Sequence, residues 1–577
     1  MELVERAAEL TELRKFFDDC AAGVGGAVLI SGPVAVGKTR LMEEFCRSVD
    51  TTRTLVLAAT AAETEHDIPL GLIRQLLGNA MASTQPADSR GALFRCAAQV
   101  REYAAAWDDK DPRARKAAIE HLCADLLAPA RDRTVVICLD DLHLADSVSV
   151  ELVLSLQRRS RMCRTMLLLG VCTTDPTYLS EIQVEFARSP RSHTLCLSGL
   201  TLPGVSAALR LSGLPEARAL SFLRASGGNP LLLDALLTDA VRIGRDRDTA
   251  DIPKAGNAFR KSMSACLYRL DDDTRTVLRA WAVLGRLRSR RLLRKLLGPD
   301  RDAAFVERAM AALAAVGILD HTGDFRIPET ARIAVDTTTR TDRADLHLRV
   351  AVLLHEEGLG ASVIAEHVLA AGDVAETWIS PVLIKAAGEA LAKGDADRAL
   401  TCAERAHQIA AGRAAITALV ALVRLKWLTS PSSASSHLRP LQRAMYRGRL
   451  DLSDAFALVA QLVWERRYPE AANVARWLDE HVDRTDAAEL LHLRTMHTWL
   501  RLIGPMAADP GHDLLVGLPQ PEHASADDSR MRAVSALVLP FGRNPRTRCA
   551  RPPSTFWRVS SAATTRRWTA RCPRCWP

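Results

Sequence analysis

Gly32-Pro-Val-Ala-Val-Gly37-Lys38-Thr39 fits the spacing G-x-x-x-x-G-K-[ST] and follows the apolar run Ala27-Val28-Leu29-Ile30 directly. The order predicts a strand, a phosphate-binding loop and then a helix over Arg40-Leu41-Met42-Glu43-Glu44-Phe45, whose first amides and positive dipole end face the anion. In such a loop Gly32 and Gly37 let backbone approach phosphate, Lys38 reaches the terminal phosphates and the Thr39 hydroxyl ligates Mg²⁺. A second group of chemistry-bearing residues closes the run Thr134-Val-Val-Ile-Cys-Leu-Asp140-Asp141. A continuous apolar stretch of this length reads as a buried parallel strand. At its carboxyl end Asp140 is placed to hold the Mg²⁺ shell and Asp141 to orient or deprotonate an attacking water. ATP or ADP with Mg²⁺ is the ligand these residues predict.

The elements that must position them follow from the same patterns. Arg53–Thr60, Met166–Thr173 and Thr194–Ser198 are further short apolar runs separated by helical stretches, so residues 1–200 read as a parallel α/β sheet. One strand intervenes between the phosphate loop and the acidic strand, as in the additional-strand class of P-loop ATPases. A polar residue after the acidic strand, Thr173 or Thr174, is then the expected γ-phosphate sensor.

The opening Leu3-Val4-Glu5-Arg6-Ala7-Ala8-Glu9-Leu10, the phosphate loop, Glu65–Leu76, Asp140-Asp141-Leu142-His143-Leu144-Ala145-Asp146 and Gly227-Gly228-Asn229-Pro230 together resemble one family. They are similar to the large ATP-binding regulators of the LuxR family, the MalT-like branch of the STAND signal-transduction ATPases. The resemblance runs from the N-terminus to about Leu539 and is strongest over the first 240 residues. It implies adenine contact by Val4 and Arg6, closure over the base by Gly228 and Pro230, and a nucleotide switch in which a ligand of a helical sensor promotes exchange of ADP for ATP and self-association. His143 and Asp146 match the stretch after the acidic strand, where Asp146 reads equally as a helix N-cap. Three positions depart from the pattern: Glu5 stands in place of a glycine, Ala35 in place of another, and Thr174-Asp175-Pro176 where an arginine follows the sensor strand. Alanine at a positive-φ position would cost on the order of 1 kcal/mol.

The 577 residues are 48% hydrophobic but only 5% aromatic, a balance that suits several domains with large Ala/Leu/Val helical faces. No run of about 20 apolar residues and no basic leader followed by an apolar stretch is present, so a cytoplasmic protein without membrane contact is expected. The net charge of +8 resides in the tail: residues 541–577 hold nine arginines, no lysine and no acid, and without them basic and acidic residues nearly cancel. Ten of 13 cysteines are scattered singly, as isolated buried thiols, and Cys572-Pro-Arg-Cys575 has metal-ligand spacing without a second pair.

After the ATPase region, residues 201–254 read as a helical lid and 255–345 as helices followed by a Gly-turn hairpin, a winged-helix pattern. Its candidate recognition helix, Phe305–Val316, is too apolar for a major groove and is expected to brace the ATPase. Pro328 stands where the resembled family often has a nucleotide-sensing histidine. Residues 346–540 repeat Ala/Leu-rich helix pairs of tetratricopeptide type, a sensor for an unknown protein or small-molecule inducer. Residues 541–577 have no apolar periodicity and read as a disordered basic tail or the product of a shifted frame, in place of the helix-turn-helix that the resemblance implies. DNA contact is then expected only through a missing C-terminal domain or non-specifically through that tail. The whole reads as a slow regulatory ATPase with transcription control as its output. A nucleotide-controlled scaffold and a motor acting on nucleic acid are the alternatives.

Overall fold

The computed structural model describes residues 3–500 except 83–86, 106, 108–110, 173–184, 187, 190, 244–252, 375, 487–488, 491, 495 and 498–499. The expectations for Thr173 and Thr174, residues 244–252 of the lid segment, the solenoid beyond residue 500, Cys572 and Cys575, and the basic tail lie outside the described residues. The chain divides into two compact units, 1–353 and 354–577.

In the first unit five parallel strands carry the site: β1 (Gly26–Gly32), β2 (Thr54–Thr60), β3 (Thr134–Asp140), β4 (Thr165–Cys172) and β5 (Ser192–Cys196). Their order is β2-β3-β4-β1-β5. The acidic strand β3 is thus separated from the phosphate-loop strand β1 by β4, the arrangement of the additional-strand P-loop ATPases. Every residue of β1, β3 and β4 is buried. Burial of both faces explains why these strands read as unbroken apolar runs rather than alternating ones.

The two faces still alternate in what they touch. Ala27, Leu29, Val135, Ile137, Leu139, Leu167 and Leu169 face a core completed by α3 (Gly71–Ala82), α4 (Ala87–Ala105), α5 (Pro112–Leu127) and α6 (Ser147–Arg159). Val28, Ile30, Val136, Cys138, Met166 and Leu168 face the other core, closed by Leu13 and Cys20 of α1 (Ala7–Ala21) and Leu41, Met42 and Phe45 of α2 (Lys38–Ser48). This period of two puts Asp140, the last residue of β3, on the α2 side, facing the start of the helix that follows the phosphate loop.

The segment expected to form the lid holds α7 (Leu202–Leu211), α8 (Ala219–Ser226) and α9 (Pro230–Ile243). Behind it come α10 (Asn257–Tyr268), α11 (Asp272–Val283), α12 (Arg290–Leu297) and α13 (Ala303–Ala315). The hairpin expected after α13 is reduced to a single antiparallel bridge, Leu319 to Phe325. The Asp320 carboxylate accepts from the amides of Thr322 and Asp324 and so fixes the turn tightly, while Pro328 already leads into α14 (Glu329–Asp336).

The second unit is a succession of helix pairs: α16 (Ala361–Ala371), α17 (Ile379–Ala392), α18 (Ala396–Ile409), α19 (Gly412–Thr429), α20 (Pro431–Tyr446), α21 (Leu452–Trp464) and α22 (Tyr468–His481), with α15 (Arg340–Glu356) across the division of the chain. Ala386, Ala387 and Ala390 on α17 and Ala399, Ala403 and Ala406 on α18 are all buried. Small side chains let these two helices approach closely, and Gly394 at φ 82° makes the turn between them.

Candidate functional site

The phosphate loop curls between β1 and α2 because its backbone takes conformations that most residues avoid. Gly37 at φ 101° is the N-cap of α2, and a Cβ there would meet nothing within 4 Å, so the loop's inner face is open for a ligand to approach backbone. Ala35 at φ 61° occupies the left-handed region with a side chain, as the missing glycine predicted. Gly32 is needed for packing: a Cβ would lie 2.7 Å from the Leu197 carbonyl. Lys38 is 6% exposed, and its ammonium donates to the Gly32 and Pro33 carbonyls at 2.8 and 2.9 Å. Those two bonds hold the cation inside the loop's curl at the site where phosphate oxygens would compete for it.

Across the loop, the Thr39 hydroxyl donates to Asp140 at 2.5 Å, and the other Asp140 oxygen accepts the Asp141 amide at 2.9 Å. Burial, and the Asp141 charge next to it, raise the Asp140 pKa above the ordinary carboxylate value despite the hydrogen bond from Thr39. A hydroxyl and a buried carboxylate in contact are hard oxygen donors, and they fit Mg²⁺. Asp141 turns outward at φ 50° and lines the cleft with His143, whose Nδ1 accepts the Cys172 amide at 3.4 Å. Asp146 is set apart from this chemistry. Only 3% exposed, it caps α6 through Ser149 and also accepts the Leu70 amide, so it ties the start of α6 to the turn before α3.

Together these walls enclose a cleft of about 280 Å³ lined by Val4, Arg6, Ala35, Gly37, Lys38, Thr39, Asp141, Pro230 and Arg269 among others. That is near the lower bound of small-molecule sites, roughly 300 Å³. Val4 and Arg6 border it from the N-terminal segment, where the Arg6 guanidinium donates to Ser198 O at 2.6 Å and Val36 O at 3.4 Å. Arg6 therefore works as a tie between phosphate loop and lid connection as well as a wall. Pro230, the first residue of α9, lies on the cleft. Gly228, at φ 76°, is not among the lining residues; it stands behind Pro230, with its carbonyl accepting the Leu200 amide.

Three further residues position this site: Asn229 and Glu5 lie inside the quoted motifs without a role assigned to them, and Gly170 lies outside every motif. Asn229 accepts the amides of Leu231 and Leu232 with its oxygen, capping α9, and donates to Val34 O of the phosphate loop at 3.3 Å and Val316 O behind α13 at 2.8 Å. An asparagine directly before a helix-opening proline was the available signal. Gly170 of β4 lies against Asp140, and a Cβ there would be 2.2 Å from its carboxylate. Glu5 caps α7: its carboxylate accepts from Thr201 N at 2.8 Å, from the Thr201 hydroxyl and from Gly204 N at 3.1 Å. Burial would raise the Glu5 pKa, but the hydrogen bonds from Thr201 and Gly204 outweigh it and hold it below the usual carboxylate value.

Residues 2–169 match the family model of the AAA ATPase domain. An uncharacterized protein of Rhizobium meliloti (strain 1021) is 27% identical over 431 residues, which cover 67% of this chain and 40% of that protein. The chain thus matches less than half the length of this curated relative. Among solved structures, a STAND protein with a tetratricopeptide repeat sensor from Pyrococcus horikoshii is 12% identical, with 94% of this chain and 78% of that one covered and a TM-score of 0.27. The Aeropyrum pernix ORC2 protein, solved as ADPNP-ADP complexes, is 17% identical over 62% of this chain and 95% of that one, with a TM-score of 0.35.

Proposed function

With an AAA-type P-loop ATPase domain at its N-terminus, we propose that this chain is a nucleotide-switched regulatory ATPase of the LuxR-type regulator family, in which the helix pairs of the second unit sense an inducer. One observation carries the reading: a single cleft is lined by the phosphate loop, by Asp141 from the acidic strand's end and by Pro230 of the lid. Thr39 and Asp140 would hold Mg²⁺, which supplies charge neutralisation for the polyphosphate. Lys38 exchanges its loop carbonyls for phosphate oxygens, and Asp141, turned into the cleft, orients the attacking water. The lid's place on the same cleft supports a switch rather than a metabolic catalyst, because opening or closing α9 changes the walls around the base. Transcription control as the output, tetratricopeptide-type sensing and self-association in the ATP state belong to the same proposal; they draw on the order of motifs shared with those regulators.

Calorimetric titration of Mg²⁺·ATP tests the reading. Lys38→Ala removes the loop's buried cation, and its affinity should fall by a factor of 100 or more. Asp141→Asn should retain affinity while turnover disappears. Unchanged affinity in Lys38→Ala would sink the assignment.

A further inference from the structure

Arg269 brings a cation into the cleft from beyond both the phosphate loop and the lid. It follows the last residue of α10, and Leu270 separates it from Asp271, the N-cap of α11. Its placement is set at both ends of α10. Asp239, buried on α9, accepts the amides of Gly256, Ala258 and Phe259 and clamps the start of α10 against the far half of α9. The two helices pack against each other, so α10 runs back along α9 and delivers its C-terminal end toward the α9 start, where Pro230, Leu231 and Asp234 line the cleft. Leu270 is buried and the Arg269 amide bonds to Cys266 and Leu267, which fix the backbone there. The guanidinium has no hydrogen bond or ion pair among the described residues, although it stands on the same wall as Asp234.

An exposed guanidinium carried by a fixed backbone at the rim of a phosphate-loop cleft, with no hydrogen bond or ion pair among the described residues, has the chemistry to take phosphate oxygens in a bidentate fashion. We propose that Arg269 is a ligand of the nucleotide's polyphosphate, so that the segment behind the lid reads the nucleotide directly through the α10–α11 connection. This rests on the nucleotide-binding reading above and adds a residue that none of the recognised motifs contains.

The test is calorimetry on the full chain with Mg²⁺·ATP, Mg²⁺·ADP and adenosine, comparing wild type, Arg269→Ala and Arg269→Lys, with circular dichroism to show that folding is unchanged. Losing a charge-assisted contact should weaken ATP and ADP at least about tenfold and leave adenosine binding unaltered, while Arg269→Lys recovers part of the loss. Equal weakening of all three ligands would place Arg269 on the nucleoside, and unchanged ATP affinity would remove it from the site; either result overturns the proposal. A wild-type chain that fails to bind ATP at all would instead defeat the nucleotide reading, and this inference with it.

Discussion

At the scale of single residues the site depends on backbone conformation and on side chains that are absent. Ala35 holds φ 61° with a Cβ that disfavours it, at roughly 1–2 kcal/mol. Ala35→Gly removes that strain and returns about 0.5–1 kcal/mol through the freer unfolded chain. A net stabilisation of up to about 1.5 kcal/mol is therefore expected in chemical denaturation, whereas the branched Ala35→Val should lower the melting temperature. Gly170→Ala is the complementary case. A methyl 2.2 Å from the Asp140 carboxylate forces that side chain off Thr39, so turnover should fall at least about tenfold, the cost of displacing a group by under an ångström at a reacting centre. Turnover within twofold of wild type would show that Asp140 relaxes without loss. The phosphate loop was legible because its glycines, lysine and threonine are contiguous and their roles are local. Gly170 was not: what forbids its Cβ is a carboxylate 30 residues earlier on a neighbouring strand, and only the β3–β4 register brings the two together.

At the scale of elements the connections between segments are made by helix caps. Asn229 caps α9 and also spans from Val34 O to Val316 O, so one amide joins loop, lid and the segment behind α13. Gly227 and Gly317 pack so closely there that a Cβ on Gly227 would lie 2.5 Å from Gly317 Cα. Asn229→Ala loses the cap, about 1 kcal/mol, and strands the Val316 carbonyl, which the burial of Asn229 keeps from water, another 1–3 kcal/mol. A loss of about 2–4 kcal/mol in urea unfolding of the first unit is expected; under 1 kcal/mol would mean that water replaces the amide. Strands were read from apolar runs, whereas the order in which they pair, β2-β3-β4-β1-β5, rests on contacts between distant segments that the runs do not encode. What sequence could not supply was the partner of each cap: Glu5 is a departure from the glycine of the resembled pattern when read alone, and becomes the cap of α7 only once Thr201 and Gly204 are beside it. The reduced wing has the same origin, since pattern marks a turn at Gly323 but not how few ladder bonds survive around it.

At the scale of the whole molecule the second unit has a pH dependence of its own. Burial lowers the pKa of His367, only partly offset by Glu366; burial, then Lys426 and His407, lower that of His437 against the pull of Glu404. Both histidines are therefore held neutral in the folded unit, while the unfolded chain takes up protons near pH 6.5. With folded-state values below the unfolded one, the unfolded chain binds more protons in that window, so stability is full above about pH 6.5 and declines as pH falls through it. Hydrogen exchange followed by mass spectrometry over Ala361–Tyr446 should show protection dropping between pH 7.5 and 5.5 after correction for the intrinsic rate. His437→Gln, at a half-buried position, should remove part of that drop and leave the pH 7.5 protection close to wild type. Equal protection at both pH values would mean that the folded unit accommodates the imidazolium ions, and the charge on Lys426 would then have to be screened by Glu404, 3.1 Å away, more completely than the direction of the His437 shift implies.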